Sequence, residues 1–126
     1  MKVRNVTIGV KDVKDVLGEA KDVMERLERG EKVPRRRPGV YFDTLETMRK
    51  AITEERVRII RVIRLRRPAS VYELAKMLHR NIKNVSDDVR YLAQLGLIEL
   101  ERVRTDGREK TVPKVNYEKI RLEIAV

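Results

Sequence analysis

The chain contains no cysteine, and this absence removes two kinds of site at once. Neither a disulfide nor a thiolate metal site can form among its 126 residues. His79 is the only histidine, so a zinc site would have to be built from carboxylates alone, which is rare in proteins. We therefore expect no metal site.

The sequence also has no long apolar run and no motif of a common enzyme class. No apolar stretch is long enough to span a bilayer, and no signal-peptide core is present, so we expect a cytoplasmic protein. There is no glycine-rich phosphate loop and no recognisable motif of paired carboxylates. We expect neither enzymatic activity nor a bound cofactor.

Positive charge is present in excess and is unevenly distributed. The chain has 30 Lys and Arg against 20 Asp and Glu, a net charge of +10, and residues 31–67 carry 12 of the basic residues and 5 of the acidic ones. Such a surplus favours a polyanionic partner, of which nucleic acid is the most common. Many charges, no cysteine and a single glutamine (Gln94) are also typical of a protein from a thermophile, which would explain the charge without any partner.

Residues 1–40 have the pattern of a strand, a helix and an extended linker. Three apolar residues alternate near the start, as in a half-buried strand: Val6, Ile8 and Val10. Apolar residues at helical spacing then predict an amphipathic helix that is capped by Asp12 and ends near Gly30. Residues 31–40 hold two prolines around three arginines, which predicts an extended and irregular segment.

Residues 41–115 begin with the signals of three successive helices. The sequence DTLE has capping-box form and predicts a short helix from Asp43. Thr53 is expected to cap the second helix, whose first turn is acidic. Ser70 and Glu73 form a capping box that opens a short third helix.

A fourth helix at about 82–95 and a hairpin at about 97–115 follow these elements. Gly96 is the expected stop of the helix. Asp106 and Gly107 tolerate the positive φ of a two-residue hairpin turn. The order helix, helix, turn, helix, hairpin is that of a winged helix-turn-helix, in which the last helix enters the DNA major groove and the hairpin is the wing.

The predicted fold class is α+β, mainly α: a winged helix-turn-helix with an N-terminal strand-helix extension and a C-terminal strand. The predicted domains are an extension with a basic linker at 1–40, a DNA-binding domain at 41–115, and a strand with alternating apolar residues at 116–126. One winged helix reads few base pairs, so such proteins usually dimerise on two half-sites. The two outer segments could pair with each other or with a second subunit, and we expect a homodimer through them.

The predicted recognition helix at about 82–95 separates an apolar face from a polar one. Three residues point toward the core: Val85, Val89 and Leu92. On the other side, Lys83 can donate to guanine and Asn84 can form a bidentate pair with adenine. Ser86 can bond to a base or a phosphate, and Arg90 is placed to contact the backbone.

Two carboxylates on this helix do not fit a role in base recognition. Asp87 would be repelled by phosphates, and an ion pair within the helix, with Arg90 or Lys83, is the simpler account. Asp88 points more sideways, and we expect it to brace an arginine of the preceding helices.

Further DNA contacts are predicted on both sides of this helix. The wing carries four basic residues: Arg102, Arg104, Arg108 and Lys110. Basic wings commonly contact the DNA backbone or minor groove, although charges on an edge strand also serve to prevent aggregation. Three more candidates flank the helices: Ser70, Tyr72 and Arg80. Arg35, Arg36 and Arg37 are similar in composition to minor-groove arms, and an ordinary solvated linker explains them equally well.

Two stretches between Tyr41 and Leu100 carry a specific pattern, YFDTLETMRKAIT and RPASVYELAKMLHRNIKNVSDDVRYLAQLGLIEL. With its K-N-V-x-x-D-V-x-x-L-x-x-L-G-L-I core, this region resembles archaeal winged-helix transcriptional regulators related to the MarR and ArsR groups. The resemblance implies a DNA-binding regulator, whose recognition-helix residues would be Lys83, Asn84, Ser86 and Arg90. Metal sensing of the ArsR type is not expected without cysteines. Some relatives are described as antitoxin-like, so the alternative is a protein-interaction module whose N-terminal region binds a partner protein.

Overall fold

A computed structural model describes residues 5–33 and 39–126. In chain order its elements are β1 Asn5–Val10, α1 Val13–Glu28, β2 Gly39–Phe42, α2 Leu45–Ala51, α3 Glu54–Arg66, α4 Val71–Leu78, α5 Ile82–Gln94, β3 Glu99–Thr105, β4 Arg108–Lys114 and β5 Lys119–Ile124. This is an α+β fold, with a parallel sheet and a separate hairpin. None of the helices in the described residues is long and apolar enough to cross a membrane.

The chain divides into two compact units, which are described separately. A sheet unit comprises Asn5–Ala51 and Lys119–Val126, and a helical unit comprises Ile52–Glu118. The sequence predicts domain boundaries near residues 40 and 115, whereas the units divide near 51 and 118. Residues 41–51 belong to the sheet unit because α2 packs on β1 and β2.

The sheet has the order β2-β1-β5, and both pairings are parallel. Of the two pairings that the sequence leaves open for the outer segments, the one with each other is present, since Ile8 on β1 lies opposite Leu122 on β5. The expectation of irregular structure up to residue 40 is wrong for Gly39 and Val40, which open β2. Val40 lies opposite Ile8 on the apolar face of the sheet, and this distant pairing is not visible in the local sequence.

The helix α2 begins two residues later than its capping-box sequence predicts. Thr44, and not Asp43, is the residue before the first turn, and its Oγ1 accepts a hydrogen bond from the Thr47 N–H at 3.1 Å. Phe42 still belongs to the strand, so the chain needs the two intervening residues to turn. Met48 and Ala51 are the buried residues of this helix.

The predicted amphipathic helix is present as α1, but its apolar residues do not enter a core. Asp12 caps it, accepting a hydrogen bond from the Lys14 N–H at 3.2 Å, and Gly30 follows its end with a φ of 78°. No residue of α1 is buried.

In the helical unit, α3, α4, α5 and the segment after α5 enclose one apolar core. Its most buried residues are Ile59, Ile63, Leu74, Leu78, Val85, Val89, Leu92, Leu97 and Ile98. Thr53 and Ser70 cap α3 and α4 as predicted, but the Glu73 carboxylate accepts from the Ala69 N–H and not from that of Ser70. Ala75 is buried, as expected for a small residue on the helix that packs against α5.

The strands β3 and β4 form an antiparallel hairpin closed by a two-residue turn. Asp106 and Gly107 have φ values of 53° and 76°, and Thr105 lies opposite Arg108. This is the turn that the Asp-Gly sequence predicts. The order of elements in the helical unit is therefore the predicted one.

Candidate nucleic-acid interface

The N-terminal half of α5 is fixed at its start and exposed along one side. The Asn81 side chain accepts a hydrogen bond from the Lys83 N–H at 2.8 Å and so caps the helix. Lys83, Asn84 and Arg90 are exposed, and Ser86 is half-buried. The predicted core residues of this helix (Val85, Val89 and Leu92) are all buried, so the helix is oriented as its pattern predicts.

Asp88 connects α5 to α3 and to the turn between α4 and α5, as expected from its sideways position. Its Oδ1 accepts a hydrogen bond from Nε of Arg56 on α3 at 3.2 Å, and its Oδ2 accepts one from Nη2 of Arg80 at 3.0 Å. The exposed fractions of the three side chains lie between 18% and 25%. The guanidinium of Arg56 also lies 4.3 Å from the centre of the Tyr91 ring.

Arg80, one of the candidate DNA contacts, is engaged in this network. Its Nη2 bonds to Asp88, and its Nη1 lies 3.7 Å from Oε2 of Glu55. His79, the residue before it, has a φ of 54°, so the chain reverses direction here in the left-handed conformation. The contacts of Arg80 give it a bracing role at the turn between α4 and α5.

Asp87 behaves differently from its neighbour. Its Oδ1 is 3.9 Å from Nη2 of Arg90, and both side chains are more than half exposed. The predicted ion pair within the helix is therefore present with Arg90. At this distance and exposure it is weak, and it leaves the Arg90 guanidinium accessible to other acceptors.

A cleft joins α5 to the hairpin. It has a volume of about 420 Å3, and its polar lining comes from Ser86 and Arg90 on α5 together with Arg102 and Thr111 on the hairpin. Its apolar lining comes from Val71, Val89 and Leu100. The structure thus brings two candidate residues of the helix together with one of the wing.

The four basic residues of the wing lie on two different faces of the hairpin. Arg102 lies opposite Thr111 and Arg104 opposite Glu109, so these two arginines share the face that lines the cleft. Lys110 lies opposite Val103 and Arg108 opposite Thr105, on the other face. Two of the four candidates therefore face the same way as the cleft beside α5.

Ser70 and Tyr72 stand at the start of α4. The Ser70 hydroxyl caps the helix, accepting from the Glu73 N–H at 3.0 Å. Tyr72 is 60% exposed, and Nζ of Lys76 lies 4.6 Å from the centre of its ring. Lys76 is not among the candidates that the sequence predicts, although a basic residue four positions after an aromatic one on a helix is a recognisable signal.

Tyr117, which is not one of the predicted DNA contacts, anchors the segment that follows β4. The Tyr117 hydroxyl donates a hydrogen bond of 2.7 Å to the carbonyl of Leu97, which lies just before β3 at the base of the hairpin. Burial raises the pKa of Tyr117 well above its ordinary value, because the phenolate would be poorly solvated there. The hairpin is thus attached to the helical core at its base.

Two further predictions concern the basic linker and the metal site. Arg35, Arg36 and Arg37 lie outside the described residues, so their role stays a prediction. Within residues 5–33 and 39–126, no group of three or more His, Asp or Glu side chains is arranged to hold a metal ion.

Comparison with known proteins gives a family and a structural neighbour. A model of the HVO_A0114 family matches residues 51–122. No curated protein matches the chain. Among solved structures, the chain is similar to one described as the transcriptional regulator homologue protein from Pyrococcus horikoshii OT3. The identity is 23%, the TM-score is 0.44, and the match covers 57% of this chain and 77% of that one.

Proposed function

The chain belongs to the HVO_A0114 family, and we propose that the helical unit within the matched segment is a winged helix-turn-helix that binds double-stranded DNA as a transcriptional regulator. In this proposal α4 and α5 are the two helices of the motif, α5 is the recognition helix, and the hairpin of β3 and β4 is the wing. The proposal rests on side chains that the fold brings together, because a fold alone does not define a function.

The observation that carries the proposal is the shared surface of α5 and the hairpin. Arg90 and Arg102 line one cleft, and Arg104 continues the same face of the hairpin. Lys83 and Asn84 are exposed on the first turn of α5. Donors for phosphates therefore lie beside donors that can reach base edges, which is the combination that sequence-specific binding needs.

We assign the residues of this surface to two roles. Lys83, Asn84 and Ser86 contact base edges in the major groove, since the N-terminal part of a recognition helix usually reads the bases. Arg90, Arg102 and Arg104 contact the phosphates and fix the orientation of the helix. Arg80 is excluded from both groups because its guanidinium is bonded to Asp88.

The proposal is tested by selecting binding sites from random duplex DNA and then measuring affinity across a salt series. The logarithm of the binding constant should fall linearly with the logarithm of the salt concentration, by about 0.9 for each phosphate contacted. The combined variant Lys83→Ala, Asn84→Ala, Arg104→Ala should lose both the preference for the selected site and most of the affinity.

A matched control separates the position of the charges from the total charge. The variant Lys119→Ala, Arg121→Ala also removes two positive charges, but from exposed positions of β5 in the sheet unit. It should bind the selected site nearly as well as the unmodified chain. If both variants lost affinity equally, or if neither did, the assignment of the surface to DNA would be wrong.

A further inference from the structure

The helix α1 carries a continuous apolar stripe along one face, and no other part of the described chain buries this stripe. The stripe consists of Val13, Val16, Leu17, Ala20, Val23, Met24 and Leu27. Val13, Leu17, Met24 and Leu27 are each between 58% and 64% exposed. Single exposed apolar residues are normal on a protein surface, but a row of large ones at helical spacing on one face is typical of a contact surface.

The spacing within the stripe is that of a coiled-coil seam. Steps of four and three residues alternate along Val13, Leu17, Ala20, Met24 and Leu27. The two flanks of this seam are unlike each other. One flank is apolar, with Val16 and Val23, and the other is charged, with Lys14, Lys21 and Glu28.

We propose that α1 pairs in antiparallel orientation with α1 of a second copy of this chain. In an antiparallel pair each flank meets the same flank of the partner helix, whereas in a parallel pair it meets the opposite one. Antiparallel pairing therefore joins the apolar flanks to each other. Parallel pairing would bury Val16 and Val23 against lysine and glutamate side chains.

Charge complementarity favours the same arrangement. Lys14 and Glu28 stand on one flank at opposite ends of α1, so antiparallel pairing places Lys14 of each copy beside Glu28 of the other. In the part of the chain that the structure describes, neither side chain forms an ion pair. Two equivalent ion pairs would thus close the two ends of the helix pair.

The middle of the stripe suits a close crossing. Ala20 is its smallest residue and lies at its centre, so the two backbones can approach each other there. Lys21 of the two copies meets near the two-fold axis, where the aliphatic stems can cover the seam while both ammonium groups extend into water, which screens their repulsion. The pairing goes beyond the proposed function and does not depend on it, but it would give the assembly two recognition helices.

The first test measures the mass of the full-length chain by light scattering and sedimentation across a concentration series. We expect a dimer, and we expect Leu17→Gln with Met24→Gln to raise its dissociation constant about a hundred-fold or more, because four apolar side chains per dimer leave the seam. The matched control Asp15→Gln with Glu25→Gln changes two residues off the seam and should leave the mass unchanged. Circular dichroism should be closely similar for all three chains, because no residue of α1 is buried within the single chain and glutamine is a good helix former.

The second test determines the orientation. Lys14→Glu and Glu28→Lys should each weaken the dimer by about three- to tenfold, because each places like charges together twice per dimer. The double variant restores opposite charges and should restore the affinity. Without this restoration, antiparallel pairing would be wrong.

A monomeric unmodified chain at micromolar concentration would overturn the proposal, as would a dimer that Leu17→Gln with Met24→Gln leaves intact. In the first case the stripe would remain available to a different protein, as the antitoxin-like alternative requires. DNA affinity of the helical unit is measured separately, with the recognition-helix variants, so the two proposals can fail independently.

Discussion

Asp88 of α5 and Arg56 of α3 are joined by a hydrogen bond of 3.2 Å between Oδ1 and Nε. The other oxygen of the same carboxylate holds Arg80, the second residue after α4. One side chain therefore fixes the proposed recognition helix to α3 and to the turn that follows α4. Among residues 5–33 and 39–126, its neighbour Asp87 has no such contact to another helix, which makes the pair suitable for a comparison.

Asp88→Ala should lower the free energy of unfolding by about 2 kcal/mol, because it removes a carboxylate that two partly buried arginines share. Urea denaturation followed by circular dichroism measures the change. The matched variant Asp87→Ala removes the same group from an exposed position and should change stability by less than about 0.5 kcal/mol. Equal losses for both variants would show that the network does not stabilise the helical unit.

Gly9→Ala should destabilise the sheet unit, by about 1–3 kcal/mol. A Cβ at this position would lie 2.8 Å from two ring atoms of Tyr41 and 3.2 Å from the Glu123 carbonyl oxygen. The ring can move, but the backbone of β5 cannot yield without disturbing the sheet. Thermal unfolding measures the loss.

Gly18→Ala should have the opposite effect to Gly9→Ala and raise stability. Apart from its chain neighbours and the nearby backbone of α1 itself, no atom of the described residues lies within 4 Å of a Cβ placed there, and the residue is in the middle of α1. The substitution should stabilise the helix by about 0.5–1 kcal/mol, since alanine loses less backbone entropy than glycine. A destabilised Gly18→Ala variant would indicate that this side of α1 is covered.

Tyr117→Phe should cost about 1 kcal/mol near neutral pH, because the hydrogen bond to the Leu97 carbonyl is lost. The folded-state pKa of Tyr117 is raised above its unfolded value of about 10, so its contribution is fully present below that pH and is lost as the pH rises above it. The difference in unfolding free energy between the two chains should therefore shrink at alkaline pH. A constant difference from neutral pH to about pH 11 would contradict this placement of Tyr117.

Asn84→Ala and Arg104→Ala should affect DNA binding in different ways. Asn84→Ala should reduce the preference for the selected site by about 1–3 kcal/mol, because a base contact discriminates between sequences. Arg104→Ala should weaken binding to all duplexes similarly and lower the salt slope by about 0.9. Competition binding with selected and random duplexes distinguishes the two effects, and identical profiles would argue against separate roles.

The helical unit could be predicted almost entirely from the sequence because its signals are local. Ser70, Asn81 and Gly96 bound α4 and α5, and the Asp106-Gly107 turn sets the register of the hairpin. Each of these residues acts within a few positions of itself, and the core stripes of the helices agree with them. The bracing role of Asp88 could also be predicted, from its angle on the helix.

The sheet unit could be predicted only in part, because its decisive contacts are distant in sequence. The strand β2 has four residues and follows a stretch rich in proline and arginine, so nothing nearby indicates that it pairs with β1.

In the candidate interface, the division of the wing into two faces follows from the strand register. The sequence predicts Arg80 as a DNA contact, whereas its contacts with Asp88 and Glu55 depend on the tertiary structure.

The parallel pairing of β1 with β5 has a consequence for the order in which the chain folds. Asn5 lies opposite Lys119, so the sheet joins segments that are made at very different times during synthesis. The helical unit comprises residues 52–118 and can form as soon as residue 118 has left the ribosome, whereas the pairing of β1 with β5 must wait for residues 119–124. During that interval the nascent chain carries a folded helical unit and an incomplete sheet, in which the backbone N–H and C=O groups along one edge of β1 have not yet paired with β5.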